Sequence, residues 1–113
     1  MVIIDSQVHI WAPETPDKPY ARGDASPPHR PVPLGHEDLL REMDGSGVAR
    51  CVLVPPTWEA DRNDTSLEAA RLHPDRFRVM GRLALQKPES RELMPTWKNQ
   101  PHMLGIRVAF NAR

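Results

Sequence analysis

Four short apolar runs, alternating with segments of helical period, constrain this chain more than any other feature of its 113 residues. Val2-Ile3-Ile4 opens a β run that reaches about Ile10. Residues 36–43 read as a helix with Leu39, Leu40 and Met43 on one face, with Glu37 and Asp38 in its first turn and with Gly45 and Gly47 as its stop. Residues 49–54 read as a strand suited to burial on both faces, ended by Pro55-Pro56. A second helix carries Leu67, Ala70 and Leu72, opens with a capping-box spacing of Thr65 and Glu68, and stops before Pro74. Residues 78–85 form a third strand. Residues 89–98 form a helix that Pro95 kinks or restarts, and residues 104–110 form a fourth strand. The order β-α-β-α-β-α-β predicts an α/β fold with a parallel sheet and right-handed crossovers. The chain ends on a strand without a covering helix, so a single partial domain, 1–113, truncated after strand four, is expected.

One connection breaks the rhythm. Between Ala12 and Gly35 lie seven of the 13 prolines, together with Gly23, Asp24 and Ser26. Proline fixes φ and removes a donor, so the stretch is neither helix nor central strand. A structureless loop of that length is more often a functional loop or lid than a simple connector.

Charge narrows the function classes. Fifteen basic and 15 acidic residues cancel, and no basic block or cationic amphipathic stretch is present. Nucleic-acid and membrane-surface partners are therefore not expected, and a small-molecule substrate is. Cys51 is the only cysteine, which excludes a disulfide framework and a Cys-rich zinc cluster. Its apolar surroundings suit a small buried hydrophobe. No leader-like segment precedes the first strand and no apolar segment approaches about 18 residues, so a cytoplasmic protein is the default expectation. Gly45-x-Gly47 precedes a strand and has no third glycine, so it is not a dinucleotide fingerprint. His29, His36, His73 and His102 have no ligand spacing.

Two strands carry polar groups on one face. With period-two alternation, Asp5, Gln7 and His9 share a face of the first strand and Val2, Ile4 and Val8 take the other. This reads either as a functional surface or as the wet side of an edge strand. In the fourth strand, Leu104, Ile106, Val108 and Phe110 oppose Gly105, Arg107 and Ala109. An arginine between two tiny residues has room to grip a carboxylate bidentately, or stands on an exposed strand. In a closed barrel, aliphatic faces meet the helices and polar residues near strand C-termini line the mouth. Trp58 and Asn63, after the second strand, belong to that rim, as a ring platform and an amide, unless the segment is an ordinary loop with an N-cap at Asn63 or Asp64.

The run Ile3-Ile4-Asp5-Ser6-Gln7-Val8-His9-Ile10-Trp11 resembles the first-strand motif of the amidohydrolase-related family, in which an aspartate precedes a His-x-His pair. The similarity continues through Gly47-Val48, residues 52–56 and 58–64, His73-Pro74-Asp75-Arg76-Phe77 and Leu104-Gly105-Ile106-Arg107. The resemblance implies the N-terminal half of a (β/α)8 barrel, and a hydrolase of the branch that holds lactonases for sugar lactones and pyrone dicarboxylate, with decarboxylation as the alternative reaction. It also implies roles. His9 and Gln7 occupy the positions of the two metal-ligating histidines, and Arg107 that of a carboxylate anchor. Gln7 departs from the pattern, and an amide oxygen is a poor ligand for zinc or manganese. Any metal held by His9 is expected to be weak. Metal-free lactonases of the family polarise the carbonyl with polar barrel residues, a task that falls here to His9 and Gln7. The family's water-activating aspartate lies on a later strand. The 113-residue chain alone is therefore expected to be catalytically silent, and to associate with itself through its open edge strands. A non-catalytic, self-associating half-barrel is the reading from another class.

Overall fold

The computed structural model describes residues 1–108. Four strands form one sheet in the order β1-β2-β3-β4, every pair parallel: β1 (Ile4–Val8), β2 (Arg50–Leu53), β3 (Phe77–Arg82) and β4 (Met103–Arg107). Between them lie α1 (His36–Ser46), α2 (Asp64–Leu72) and α3 (Pro88–Arg91), with 3-10 turns at Thr57–Glu59 and Met94–Asn99. The expected α/β alternation is what forms. Sequential parallel neighbours without a reversal of strand order are the winding of a (β/α)8 barrel rather than of a doubly wound sheet. The core accordingly lies on one side of the sheet. Cys51, Leu53, Phe77, Val79 and Met103 meet Leu39 and Met43 of α1, Ala69 and Ala70 of α2, and Trp97. Burial pushes the Cys51 thiol up to about 12, with Asp5 adding to the rise, so this cysteine is an inert core residue.

Local chemistry explains the boundaries. Helix α1 runs through Gly45 to Ser46, and Gly47 alone ends it, in the left-handed conformation (φ 76°) with its N–H on the Met43 carbonyl. The capping box at Thr65 and Glu68 does not form. Asn63 holds the cap position without a side-chain cap, Thr65 turns to Glu59, and Glu68 pairs with Arg71. Of the apolar residues of α2, Ala69 and Ala70 are buried together with Ser66, whereas Leu72 is exposed. The third helical segment splits. Pro88 opens α3 and Pro95 opens the 3-10 turn, which matches the restart expected of Pro95.

Two register shifts overturn the simple alternation of side chains. In β1, Asp5 pairs with Cys51 and Val8 with Leu53, so three residues of β1 span two of β2. Cys51 and Leu53 both face the helices, so Asp5 leaves the face of Gln7 and His9, and Ile4 leaves that of Val8. Ile4 is 55% exposed and lies with Arg50, Val52 and Arg78 on the side away from the core. In β4, Val79 pairs with Met103 but Met80 pairs with Gly105, which leaves Leu104 as the extra residue. Met103 and Ile106 join the core, and Leu104, grouped with Ile106 by alternation, is 43% exposed among Ile4, Val52 and Arg78. Gly105 and Arg107 do share a face, opposite Ile106. The placements expected for Ala109 and Phe110 lie outside the described residues. β2 is buried on one face only, since Arg50 is exposed and Val52 half-buried.

The proline-rich loop is held down along its length. Trp11 N–H donates to the Leu34 carbonyl (3.1 Å), Ala21 N–H to the Trp58 carbonyl (2.7 Å) and Ser26 N–H to Thr57 Oγ1 (3.2 Å). Trp11 and Ile10, just past β1, are almost fully buried and anchor its start. No helix among the described residues is long and apolar enough to cross a membrane.

Candidate functional site

Parallel strands deliver all their following loops to one edge of the sheet, where a cleft of about 390 Å³ opens. Asp24 comes from the loop after β1, Thr57 and Asp61 from that after β2, Arg82 from the end of β3 with Lys87 beyond it, and Arg107 from the end of β4. Arg82 and Arg107 are register partners, so their side chains leave neighbouring strands side by side. Among the described residues neither guanidinium is ion-paired, whereas Lys87 and Asp61 pair with each other at 3.5 Å. Burial, and then the positive charge of Arg107, hold the Arg82 guanidinium below its ordinary value while it remains a cation. Two adjacent, half-buried guanidiniums without an ion-pair partner among the described residues have the donor geometry that could hold a carboxylate.

Arg107 thus lies on the rim expected of it. Arg82 was not anticipated, because its place beside Arg107 depends on the register shift, which no periodicity in the sequence marks. Asn63 reaches β3 instead of the cleft. Its Nδ2 donates to the Arg82 carbonyl (3.0 Å) and its Oδ1 accepts from the Arg82 N–H (2.7 Å). The amide is thereby occupied, and it fixes the backbone from which the Arg82 side chain departs.

His9 belongs to a second group of residues. Its Nδ1 lies 2.6 Å from the Val54 carbonyl, which can only accept, so Nδ1 carries the proton and the neutral ring presents its lone pair at Nε2. Trp58 packs edge-on against His9 (centroids 6.2 Å apart) and against Trp11 (5.0 Å) and His29 (5.7 Å). At 4% exposure Trp58 supports His9 instead of lining the cleft, and its indole N–H is buried without an acceptor among the described residues. Gln7 is exposed, with its backbone N–H on Asp5 Oδ1 (3.1 Å). Neither Gln7 nor His9 lines the cleft of Arg107.

A divalent metal needs several converging ligands. Among the described residues no three His, Cys, Asp or Glu side chains converge, and His9 offers one ring nitrogen. The described residues therefore do not fit a zinc or manganese centre of their own.

Glu59 was also missed. It is 4% exposed, accepts the Ala12 N–H (3.3 Å) and is touched by Thr65 Oγ1, which fastens the start of the proline-rich loop to the segment after β2. Burial raises its carboxyl above the usual range, against the opposing pull of the Ala12 N–H and Arg62. A raised folded-state pKa means that the ionised form costs stability, in full above that pKa and not at all well below the unfolded value. Glu59→Gln keeps an acceptor for Ala12. It is expected to raise the urea midpoint at pH 7, with the gain vanishing as pH falls through the carboxylate range. A variant less stable than wild type at pH 7 would contradict this reading.

No family profile matches the chain, and no curated protein matches it. Two of the solved structures that resemble it are informative. One is that of a probable 2-pyrone-4,6-dicarboxylic acid hydrolase from Acinetobacter baumannii with citric acid bound: TM-score 0.71 and 22% identity over 96% of this chain and 38% of that one. The other is an Agrobacterium tumefaciens protein in its apo form: TM-score 0.61 and 19% identity over 93% of this chain and 36% of that one. The chain spans less than two-fifths of the length of either. At this identity the likeness concerns the fold, and the chain is a four-stranded portion of a (β/α)8 barrel.

Proposed function

We propose that the chain is the carboxylate-binding part of a hydrolase acting on a lactone or similar carbonyl compound that bears a carboxylate. The observation that carries this reading is the Arg82–Arg107 cleft, with neither arginine ion-paired among the described residues, at the C-terminal ends of the strands, where barrel enzymes place their sites. The fold shared with the probable 2-pyrone-4,6-dicarboxylic acid hydrolase, which holds citric acid, supports it. In this reading Arg107 holds the carboxylate, and the Trp58-backed His9 and Gln7 face the carbonyl. With Nδ1 committed to Val54, His9 polarises a carbonyl oxygen through Nε2–H only as imidazolium, and as neutral imidazole it accepts a proton there instead. Among the described residues the carboxylates lining the cleft are Asp24 and Asp61, Asp61 is tied to Lys87, and the water-activating aspartate that the resemblance implies lies on a later strand, so the 113-residue chain is expected to bind without turnover. Titration with a carboxylate-bearing lactone and with its methyl ester tests the proposal. The acid should bind at least about ten-fold more tightly, the worth of one charge-assisted contact, and equal affinities would contradict it.

Self-association is a second reading. β1 and β4 each have one strand neighbour, and Ile4 and Leu104 lie exposed on the side of the sheet away from the core.

A further inference from the structure

We infer that two copies of the chain close into one eight-stranded parallel barrel, β4 of each copy pairing with β1 of the other, so that Gln7 of the second copy stands beside Arg107 at its cleft. This rests on the self-association reading and names its partner and its joint.

Three observations carry it. First, among the described residues the sheet is covered on one side only. The helices pack on Cys51, Leu53, Phe77 and Val79, while Ile4, Val52 and Leu104 line the bare side. All-parallel sheets occur with both faces covered. Arg50 and Arg78 share the bare side but sit at the strand starts, and Arg78 turns back onto the Phe77 carbonyl (2.9 Å), so their charges stay at the barrel's end. Second, the two open edges fit each other. β1 and β4 are opposite edges of one parallel sheet, have five residues each, and carry neither the proline nor the lysine that commonly blocks an edge. Passing from β4 into β1 of a second copy repeats a parallel step already made three times, and the copies carry no net charge to oppose it. The register shifts in β1 and β4 add twist at the two strands that meet. Third, the count closes. Two sets of four strands make the eight at which side chains just fill a barrel's interior, and a two-fold axis, the commonest symmetry of homo-oligomers, relates the two joints.

Residues opposite each other in a sheet point to the same side, and Ile4, Gln7, Leu104 and Arg107 all point away from the helices. The register that overlaps the two strands most fully therefore sets Ile4 of the second copy beside Leu104 and Gly105, and its Gln7 beside Arg107. Within one chain β1 and β4 stand three strand spacings apart, about 14 Å, and Gln7 does not line the cleft of its own Arg107.

Cysteine pairs read the joint, because a disulfide needs Cα atoms within about 7 Å and the native Cys51 is buried and inert. Ile4→Cys and Leu104→Cys chains, each substituted at an exposed position, are unfolded together, refolded and oxidised. A mixed cross-linked pair should form, with little from either variant alone, and light scattering of the wild-type chain should give twice 12.8 kDa. Gln7→Cys with Arg107→Cys reads the same joint if either first variant does not fold. A wild-type monomer overturns the inference and the self-association reading together. A two-chain mass with no mixed cross-link leaves self-association standing and overturns the barrel. A mixed cross-link in particles that grow with concentration overturns closure, since the same joint repeated without closing makes a filament.

Discussion

Phe77→Ala should cost about 3–5 kcal/mol, whereas Leu104→Ala, which removes a comparable apolar side chain, should cost less than about 1 kcal/mol. Phe77 is 1% exposed, sits in the core between β3 and the helices, and meets the His73 ring edge-on at 6.1 Å. Deleting its ring removes transfer energy and leaves a cavity, because β3 is held on both sides by β2 and β4 and cannot collapse inward. Against a stability on the order of 5–15 kcal/mol for a domain of this size, that loss is a large fraction. Leu104 is the residue that the β4 register shift expels, so its removal leaves no void. Urea denaturation of the two variants reads the difference directly. Equal losses would mean that β4 has no shift and that Leu104 packs with Ile106, which would also move Arg107 off the face of Arg82.

Arg107→Met should lower affinity for a carboxylate-bearing lactone by about 100-fold, since a bidentate charge-assisted pair supplies two contacts worth about 1.5–3 kcal/mol each before their cost in ordering. Its effect on the methyl ester should be small. Stability should not fall. The guanidinium is unpaired among the described residues and sits beside a second cation, so removing it breaks no ion pair and relieves repulsion on Arg82. Calorimetry with both ligands, paired with a thermal melt, separates these effects. A lost acid-over-ester preference with an unchanged melt supports an anchor. A lowered melt with an unchanged preference would make Arg107 a structural residue.

The alternation of elements was legible because each one follows from local chemistry. Pro55-Pro56 stops β2, Gly47 in the left-handed region stops α1, and Pro95 restarts the last helical segment. The faces of β1 and β4 were not legible beyond the shift in each strand. A bulge is set by pairing across strands, and the residues Ser6-Gln7 and Leu104 look like any others in an alternating run. The same gap hid Arg82, which sits beside Arg107 only through that register, and it placed Asp5 with His9, from which the β1 shift parts it. Asn63 and Trp58 were located correctly along the chain, in the segment after β2. Their side-chain partners, the Arg82 peptide and the Trp11–His29 rings, come from distant positions that spacing cannot reach. Glu59 was passed over for a related reason, since its burial is created by the proline-rich loop folding across it.

The central claim is that the cleft at the C-terminal ends of the strands, and not another cationic surface, is where a carboxylate binds. The chain offers a rival within itself: Arg50, Arg76 and Arg78 gather at the opposite, N-terminal end of the sheet beside Ile4 and Leu104. Amide chemical-shift mapping of the 15N-labelled chain during titration with the carboxylate-bearing lactone distinguishes the two ends. The account predicts shifts concentrated at Asp24, Thr57, Asp61, Arg82, Lys87 and Arg107, absent with the methyl ester. Shifts concentrated at Arg50, Arg76 and Arg78, or the same pattern with acid and ester, would contradict it.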